Sequence, residues 1–550
     1  IDATALGASV LLDKTLIFEN SWGSIALLNI TSQEMETIDE LDQIDNIYLV
    51  PNSKNVLISN DKGEIRIVST TSKKITPLPK KHSGQIKTID FYENYMLTSS
   101  KEGNTILWDK TKLEPFLYFV GLTNDAYAFY TDSLYYVGTP SISKSLFFKQ
   151  NNEVYPFEQF DLIYNRPDKI IAKVSDNIEL VKLYNSAYNK RLLNLGINPE
   201  TQYNSLDMPT AKWIKPPEYP ETQEANLRLE FEANATKNTL QKVHIWINNV
   251  PLYGAGGKLI QGKSYSNSVV IQLSSGSNKI ELSVTDSRGL ESLRQSFLIT
   301  YNPISPISRT LHLVVLAVSD YDGKEHDLKY AVKDGRDMVE SFNENHKNFD
   351  AIEIDSLFDQ NVTIENLSDI KSKLKNSKVD DAVLVFVAGH GLLDTAYNFY
   401  YATPQCNFKQ PHKGGISYTT IEGLLDYIPA RKKLLLMDAC HSGQVDKSLS
   451  KNQQLGNSAI KEGSRGVIVN DDASSISFSN SFELMGELFV NLERGSGTQV
   501  ISAATGDGSA LERDDWNNGA FTYTILNGLR GMKCDTNEDD KISITELRNY

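Results

Sequence analysis

From residue 309 onward, continuous apolar runs alternate with amphipathic stretches. LHLVVLAV (311–318), AVLVFVAG (382–389) and KKLLLMDA (432–439) read as strands buried on both faces. LKYAVKDGRDMVESF (328–342) and YTTIEGLLDYI (418–428) carry a helical period. Strands alternating with helices predict an α/β domain around a mainly parallel sheet over 309–550. Upstream the period shortens to two. LRLEFEA, KVHIWIN, SVVIQL, NKIELSVTD and QSFLITY, with the turns NNVPLYG and DSRG, predict a small β-sandwich over 223–302. Proline-bearing stretches at 204–222 and 302–308 read as linkers. The first region repeats: Gly23, Gly63 and Gly103, and likewise Leu28, Val68, Trp108 and Phe148, recur at a fixed interval. Short strands at this period predict propeller blades over 1–203, since a four-stranded unit buries its faces only against neighbours.

The clearest repeat, HSGQIKTIDF followed by LTSSKEGNTILWDK, resembles a WD repeat, with His82, Gly84 and Trp108–Asp109 in order. Four or five such units are fewer than a closed propeller usually has. Either the ring is small or its first blades lie upstream, and since the chain opens on Ile1 rather than Met the expectation is that further blades precede it. A leader lost from that end stays open. The tail of the β-sandwich, GSNKIELSVTDSRG, resembles bacterial immunoglobulin-like (Ig-like) or fibronectin-like modules.

The net charge of −15 argues against a nucleic-acid or anionic-membrane binder and suits a basic peptide substrate. The apolar runs are strand-sized, too short to span a bilayer. Three cysteines, Cys406, Cys440 and Cys534, make no disulfide framework and favour a reducing, cytoplasmic setting.

Two strands of the α/β region end on reactive side chains. One runs into Ala388-Gly389-His390-Gly391 and the other into Asp438-Ala439-Cys440-His441-Ser442-Gly443. Ligands of open α/β sheets bind beyond the carboxyl ends of strands. A thiol needs a base to become the nucleophilic thiolate, and an imidazole supplies one and returns the proton to the leaving amine. The N–H groups of Gly391 and Cys440 are placed to hold an oxyanion. His441 reads as structural.

These segments resemble the caspase–metacaspase family of cysteine peptidases, in its bacterial, metacaspase-like branch. His390 and Cys440 stand 50 residues apart, the caspase spacing. LVVLAVSDY resembles the family's first strand, and GTQVISAATGDGSALE with NGAFTYTILNGL its small-subunit segment. The resemblance implies a Cys440–His390 dyad needing no cofactor. It also implies a primary specificity pocket lined by Asp334 and Asp438, with Asp507 and Glu512 as further candidates. Paired carboxylates select Arg or Lys, Arg by its fork geometry, and repel Asp.

DTNEDDKISITE (535–546) places Asp535, Asn537, Asp539, Lys541 (through its carbonyl) and Glu546 at positions one, three, five, seven and twelve of an EF-hand loop. Asp540 stands where that loop wants glycine. A structural Ca2+ is the expectation, and a solvated acidic turn the alternative. The polar stretch 445–480 is either a self-cleavage segment, with Lys451, Lys461 and Arg465 as candidate sites, or a plain surface loop. The implied function is an endopeptidase acting on proteins after Arg or Lys. Its β-domains would recognise an activator, inhibitor or substrate, as in bacterial signalling or defence. The rival reading is a propeller-based binding scaffold with an inactive caspase-like domain.

Overall fold

The computed structural model describes residues 9–19, 24–38, 44–79, 81–122, 126–139, 142, 145–150, 153–156, 160–194, 197–198, 207–344, 349–394, 398–439, 496–503 and 512–550. Cys440 and the whole of 441–495, with Lys451, Lys461 and Arg465, lie outside the described residues, as does Asp507. The chain divides into two compact units, Ile1–Asn185 and Ser186–Tyr550.

In the first unit, Ser9–Leu12, Thr15–Glu19, Ile25–Asn29 and Met35–Ile38 form one antiparallel meander, and Asn46–Leu49, Asn55–Ser59, Ile65–Ser69 and Ile75–Pro77 a second. Leu28, Val68 and Trp108 each fall on the third strand of their sheet, which is the physical content of the repeat. Gly63 and Gly103 sit at φ 76° and 84°, where a tight turn favours glycine. Trp108 is fully buried and its indole N–H donates to Thr98 Oγ1 at 2.8 Å. That hydroxyl also meets His82 Nε2 at 2.7 Å.

Two features depart from the expectation of strands to 203. The third sheet has six strands, from Ile86–Tyr92 to Tyr136–Gly138, and Phe148 lies in a separate hairpin. From Asp161 the chain is helical, over Asp161–Tyr164, Pro167–Val174 and Ile178–Asn194. Pro167, at the first position of its helix, suits that turn and fits no central strand.

The second unit opens on a sandwich. One sheet pairs Thr210–Trp213, Asn226–Asn234 and Ser264–Gln272. The other is built on Gln295–Tyr301, Gly276–Asp286 and Leu240–Ile247. The stretch 204–222, expected to be a linker, supplies two of the strands, Thr210–Trp213 and Glu221–Thr222. Trp213 is the reason: it is buried edge-on to Phe231 and Phe297. Burial of one large ring outweighs the prolines that follow it.

The α/β domain is a five-stranded, all-parallel sheet in the order Ala351–Phe358, Thr310–Ala317, Ala382–Ala388, Lys432–Asp438, Gln499–Ser502. Its central strands are apolar on both faces; Leu313, Val315, Val385, Phe386 and Leu435 are all fully buried. The helix Ala331–Glu344 closes on this sheet at Gly335. A Cβ there would lie 2.9 Å from Phe358 Cε1 and 3.0 Å from Val315 Cγ1. The sandwich meets the opposite end from the reactive tips. Ser275 N–H donates to Asp380 Oδ1 (2.8 Å) and Arg431 Nη1 to Ser274 Oγ (2.9 Å), just before two central strands begin.

Two glycines respond oppositely to the same change. Gly335→Ala overpacks a tight contact and costs about 1–3 kcal/mol. Gly423→Ala, in the helix Tyr418–Leu425 with nothing within 4 Å of the new methyl, stabilises by about 0.5–1 kcal/mol. The urea midpoints of the two variants should move in opposite directions.

Candidate active site

The site is set by strand register. Ala382–Ala388 and Lys432–Asp438 run parallel, with Ala388 opposite Asp438. The Gly389 N–H extends the pairing to the Asp438 carbonyl at 3.3 Å. His390 therefore follows the last paired residue of its strand by two steps, beyond the carboxyl edge of the sheet. Gly391 is needed where it stands: a Cβ would meet the Ala439 carbonyl at 3.0 Å and the Phe399 ring at 2.6 Å.

His390 is buried, and its Nε2 lies 2.8 Å from the His326 carbonyl. A carbonyl only accepts, so Nε2 carries hydrogen and Nδ1 is the nitrogen that can take a proton. The His390 N–H donates to Tyr321 Oη at 3.2 Å. The ring is walled by Tyr321 (centroids 5.1 Å) and Phe408 (5.5 Å, edge-on). Gly391 opens the short strand Gly391–Leu393, which pairs with Phe399–Tyr401. Ala402 N–H bonds the His390 carbonyl at 2.9 Å, which makes Gly391–Tyr401 a non-hydrogen-bonded pair. The Gly391 N–H is thus turned away from its hairpin partner.

The loop 319–328 that delivers the His326 carbonyl is pinned from several sides. Ser319 and Asp320 N–H donate to Asp359 Oδ1 (2.8 and 3.1 Å), and Tyr321 N–H to Asp327 Oδ1 (2.8 Å). That last bond leads in holding the Asp327 carboxyl below its usual range.

Asp334 and Asp438 are both fully buried and both face the start of the helix Ala520–Leu529. Asp334 Oδ1 accepts from Asn518 Nδ2 (2.8 Å) and Oδ2 from the Gly519 N–H (3.1 Å), while Asp438 Oδ2 accepts from Thr522 Oγ1 at 2.5 Å. A helix start welcomes such negative charge. Glu512 answers from the other side: it accepts from the N–H groups of Lys329 (2.7 Å) and Tyr330 (3.1 Å), at the start of the helix Ala331–Glu344. Each helix is thus capped by a carboxylate from the neighbourhood of the other. Asp514 adds bonds to Lys329 Nζ and Tyr330 Oη, both at 2.6 Å.

The other two cysteines are unsuited to attack. Cys406 and Cys534 are buried, and burial pushes both thiols up, Cys406 to about 11.

The loop 535–546 makes its tight turn despite lacking glycine, with Asp540 at φ 60°, a conformation aspartate tolerates. Asp535 accepts from the Asp539 and Asp540 N–H groups, and Asp539 Oδ1 from Lys541 N–H at 3.0 Å. Glu546 is spent on a capping box with Ser543 and on the Thr536 and Asn537 N–H groups. Among the described residues no three His, Cys, Asp or Glu side chains are gathered for a metal. In this arrangement Asp535, Asn537 and Asp539 hold an Asx-type turn and Glu546 caps the last helix.

Sequence reading did not single out His326, Phe408, Asn518 or Thr522. His326 sits in a polar loop and Phe408 in a turn, and neither local pattern marks an approach to His390.

Residues 311–547 match the family model of the caspase domain, peptidase family C14. Residues 311–547 therefore form a caspase-family cysteine peptidase domain. No curated protein matches the chain. Among solved structures, the computationally designed Ika4 protein is 11% identical, covering 24% of this chain and 88% of that one, at a TM-score of 0.18. A chain of the mitotic checkpoint complex is 10% identical over 26% of this chain and 48% of its own, at 0.19. The protein GSU0716 from Geobacter sulfurreducens is 18% identical over 40% and 82%, at 0.27. Similarity at these scores carries no argument here. Among the described residues no helix is long and apolar enough to cross a membrane.

The Ser543 N–H and hydroxyl pull the Glu546 carboxyl down from 4.5 to about 2. A depressed carboxylate contributes stability that is present above its unfolded pKa and lost as pH falls through the folded value. Amide-exchange protection of Ile544–Asn549 should therefore hold down to about pH 4.5 and fade toward pH 2. Glu546→Gln should lower protection at neutral pH and flatten that acid limb.

Proposed function

We propose that this chain is an endopeptidase that cleaves proteins after Arg or Lys, with Cys440 as nucleophile and His390 as proton carrier. The observation that carries the reading is the shared register of the two central strands. It sets His390 two residues beyond the last paired position, held by its Nε2 hydrogen, and the neighbouring parallel strand is the one whose sequence leads toward Cys440.

Cys440 Sγ gives its proton to His390 Nδ1 and attacks the carbonyl carbon of the scissile bond. The Gly391 N–H, with that of Cys440, receives the oxyanion. His390 then protonates the leaving amine. Water, deprotonated by the same nitrogen, hydrolyses the thioester and restores the thiol.

Negative charge from Asp334 and Asp438 at the start of the helix Ala520–Leu529 supports a preference for a cationic side chain before the cut. Both carboxylates already hold neutral donors of that helix start, so they also shape the pocket wall. The β-domains would recognise the activator, inhibitor or substrate, in a reducing cytoplasm and in a bacterial signalling or defence role. A Ca2+ in the loop 535–546 would be structural and would require Glu546 to leave its cap. Calorimetric titration with CaCl2 tests it: heat expected from the full chain and absent in Asp535→Ala, with no heat from either removing the ion from the proposal.

Peptides bearing Arg, Lys or Asp before a fluorophore test the main reading. The expected order is Arg, then Lys, with Asp inert. Cys440→Ala and His390→Ala should each lower kcat by a factor on the order of 10^3 or more. A wild type no faster than Cys440→Ala, or a preference for Asp, would sink it.

A further inference from the structure

The hydrogen bond that fixes the His390 ring runs to the His326 carbonyl, and the His326 side chain is one of a pair of stacked rings. The His326 imidazole lies face to face with Phe408, centroids 3.8 Å apart and planes 8° from parallel. Phe408 in turn stands edge-on to His390 at 5.5 Å and 84° to the Tyr321 ring. Phe408 therefore touches both the residue whose carbonyl takes the Nε2 hydrogen and the imidazole that supplies it.

The turn presenting Phe408 is built to hold still. Asn407 Oδ1 accepts from the N–H groups of Lys409 and Gln410 (2.9 and 3.0 Å). The Asn407 N–H bonds the Lys413 carbonyl (2.9 Å), and Thr403 Oγ1 the Gly414 carbonyl (2.8 Å). The turn also grips the His326 loop directly, through the Asp322 N–H to the Pro404 carbonyl at 3.0 Å.

We propose that Phe408 is a positioning residue for His390, acting by stacking on His326 and so holding the His326 carbonyl against Nε2. The stack uses the face of the imidazole; the carbonyl belongs to the backbone. Any flat ring at 326 should therefore serve, whereas loss of either ring should free the carbonyl. The inference rests on His390 being the proton carrier.

The test uses the full chain and two readouts. One is kcat and KM on the arginyl peptide; the other is the tautomer of the His390 ring by 15N NMR, assigned by the signal lost in His390→Gln. Phe408→Ala and His326→Ala should each lower kcat by about 10- to 100-fold, the scale of small misplacements, with KM within about twofold. In both, the Nε2–H tautomer should cease to dominate. Phe408→Tyr and His326→Phe should stay within about threefold of wild type, and the double alanine variant should be no worse than either single one.

Unchanged kcat and tautomer in Phe408→Ala overturn the proposal. So does His326→Phe as impaired as His326→Ala, which would make the imidazole itself the functional group. Thermal melting of each variant separates unfolding from misplacement, and Phe408→Leu, of similar bulk without a stacking face, should behave as the alanine variant does. A wild type that hydrolyses no peptide defeats the peptidase reading, while the tautomer readout still decides the positioning role.

Discussion

The parallel pairing of Ala382–Ala388 with Lys432–Asp438 is the constraint on which the site depends. A slip of one residue would turn the side chains of one strand to the opposite face of the sheet. The slip is resisted because both strands are apolar on both faces and are flanked by further parallel strands. Glycine at 391 lets the chain beyond the sheet pass close to the Ala439 carbonyl, so the register persists past the last paired residue.

Around that pair, the domain is tied by polar contacts between segments far apart in sequence. Asp334 reaches the start of one helix and Glu512 the start of the other, while Asp438 meets Thr522. These carboxylates are buried where helix N–H groups need acceptors, which is the condition under which a buried charge is tolerated. The same residues that the family resemblance points to for specificity thus also hold the segment 512–529 against the sheet. The sandwich grips the far end, at Asp380 and Arg431, and leaves the reactive tips to the loops.

The three central strands of the α/β domain were legible because they follow from periodicity alone, LHLVVLAV and AVLVFVAG having no polar face to expose, whereas the edge strand Ala351–Phe358, half exposed and mixed in polarity, was not. The sandwich strands were legible by alternation, and the repeat by the recurring third strand at Leu28, Val68 and Trp108. Thr210–Trp213 was not, because prolines signal a break locally while the burial of Trp213 is decided by Phe231 and Phe297, distant in sequence. The helices after Asp161 were hidden for a related reason, since the expected repeat overrode local cues such as Pro167.

The sequence by itself determined the chemistry available: a histidine and a cysteine at the ends of two buried strands, glycines beside them, and acids in the surrounding segments. Residue type and period are local properties, and a single chain records them. Only the tertiary structure decided that Nε2 of His390 is the protonated nitrogen, that Phe408 and His326 stack beside it, and that Asp334 and Glu512 each accept at the start of a helix distant in sequence. Those outcomes depend on which distant groups meet in space, and hydrogen-bond partners and ring contacts across 64 or more residues leave no periodic trace.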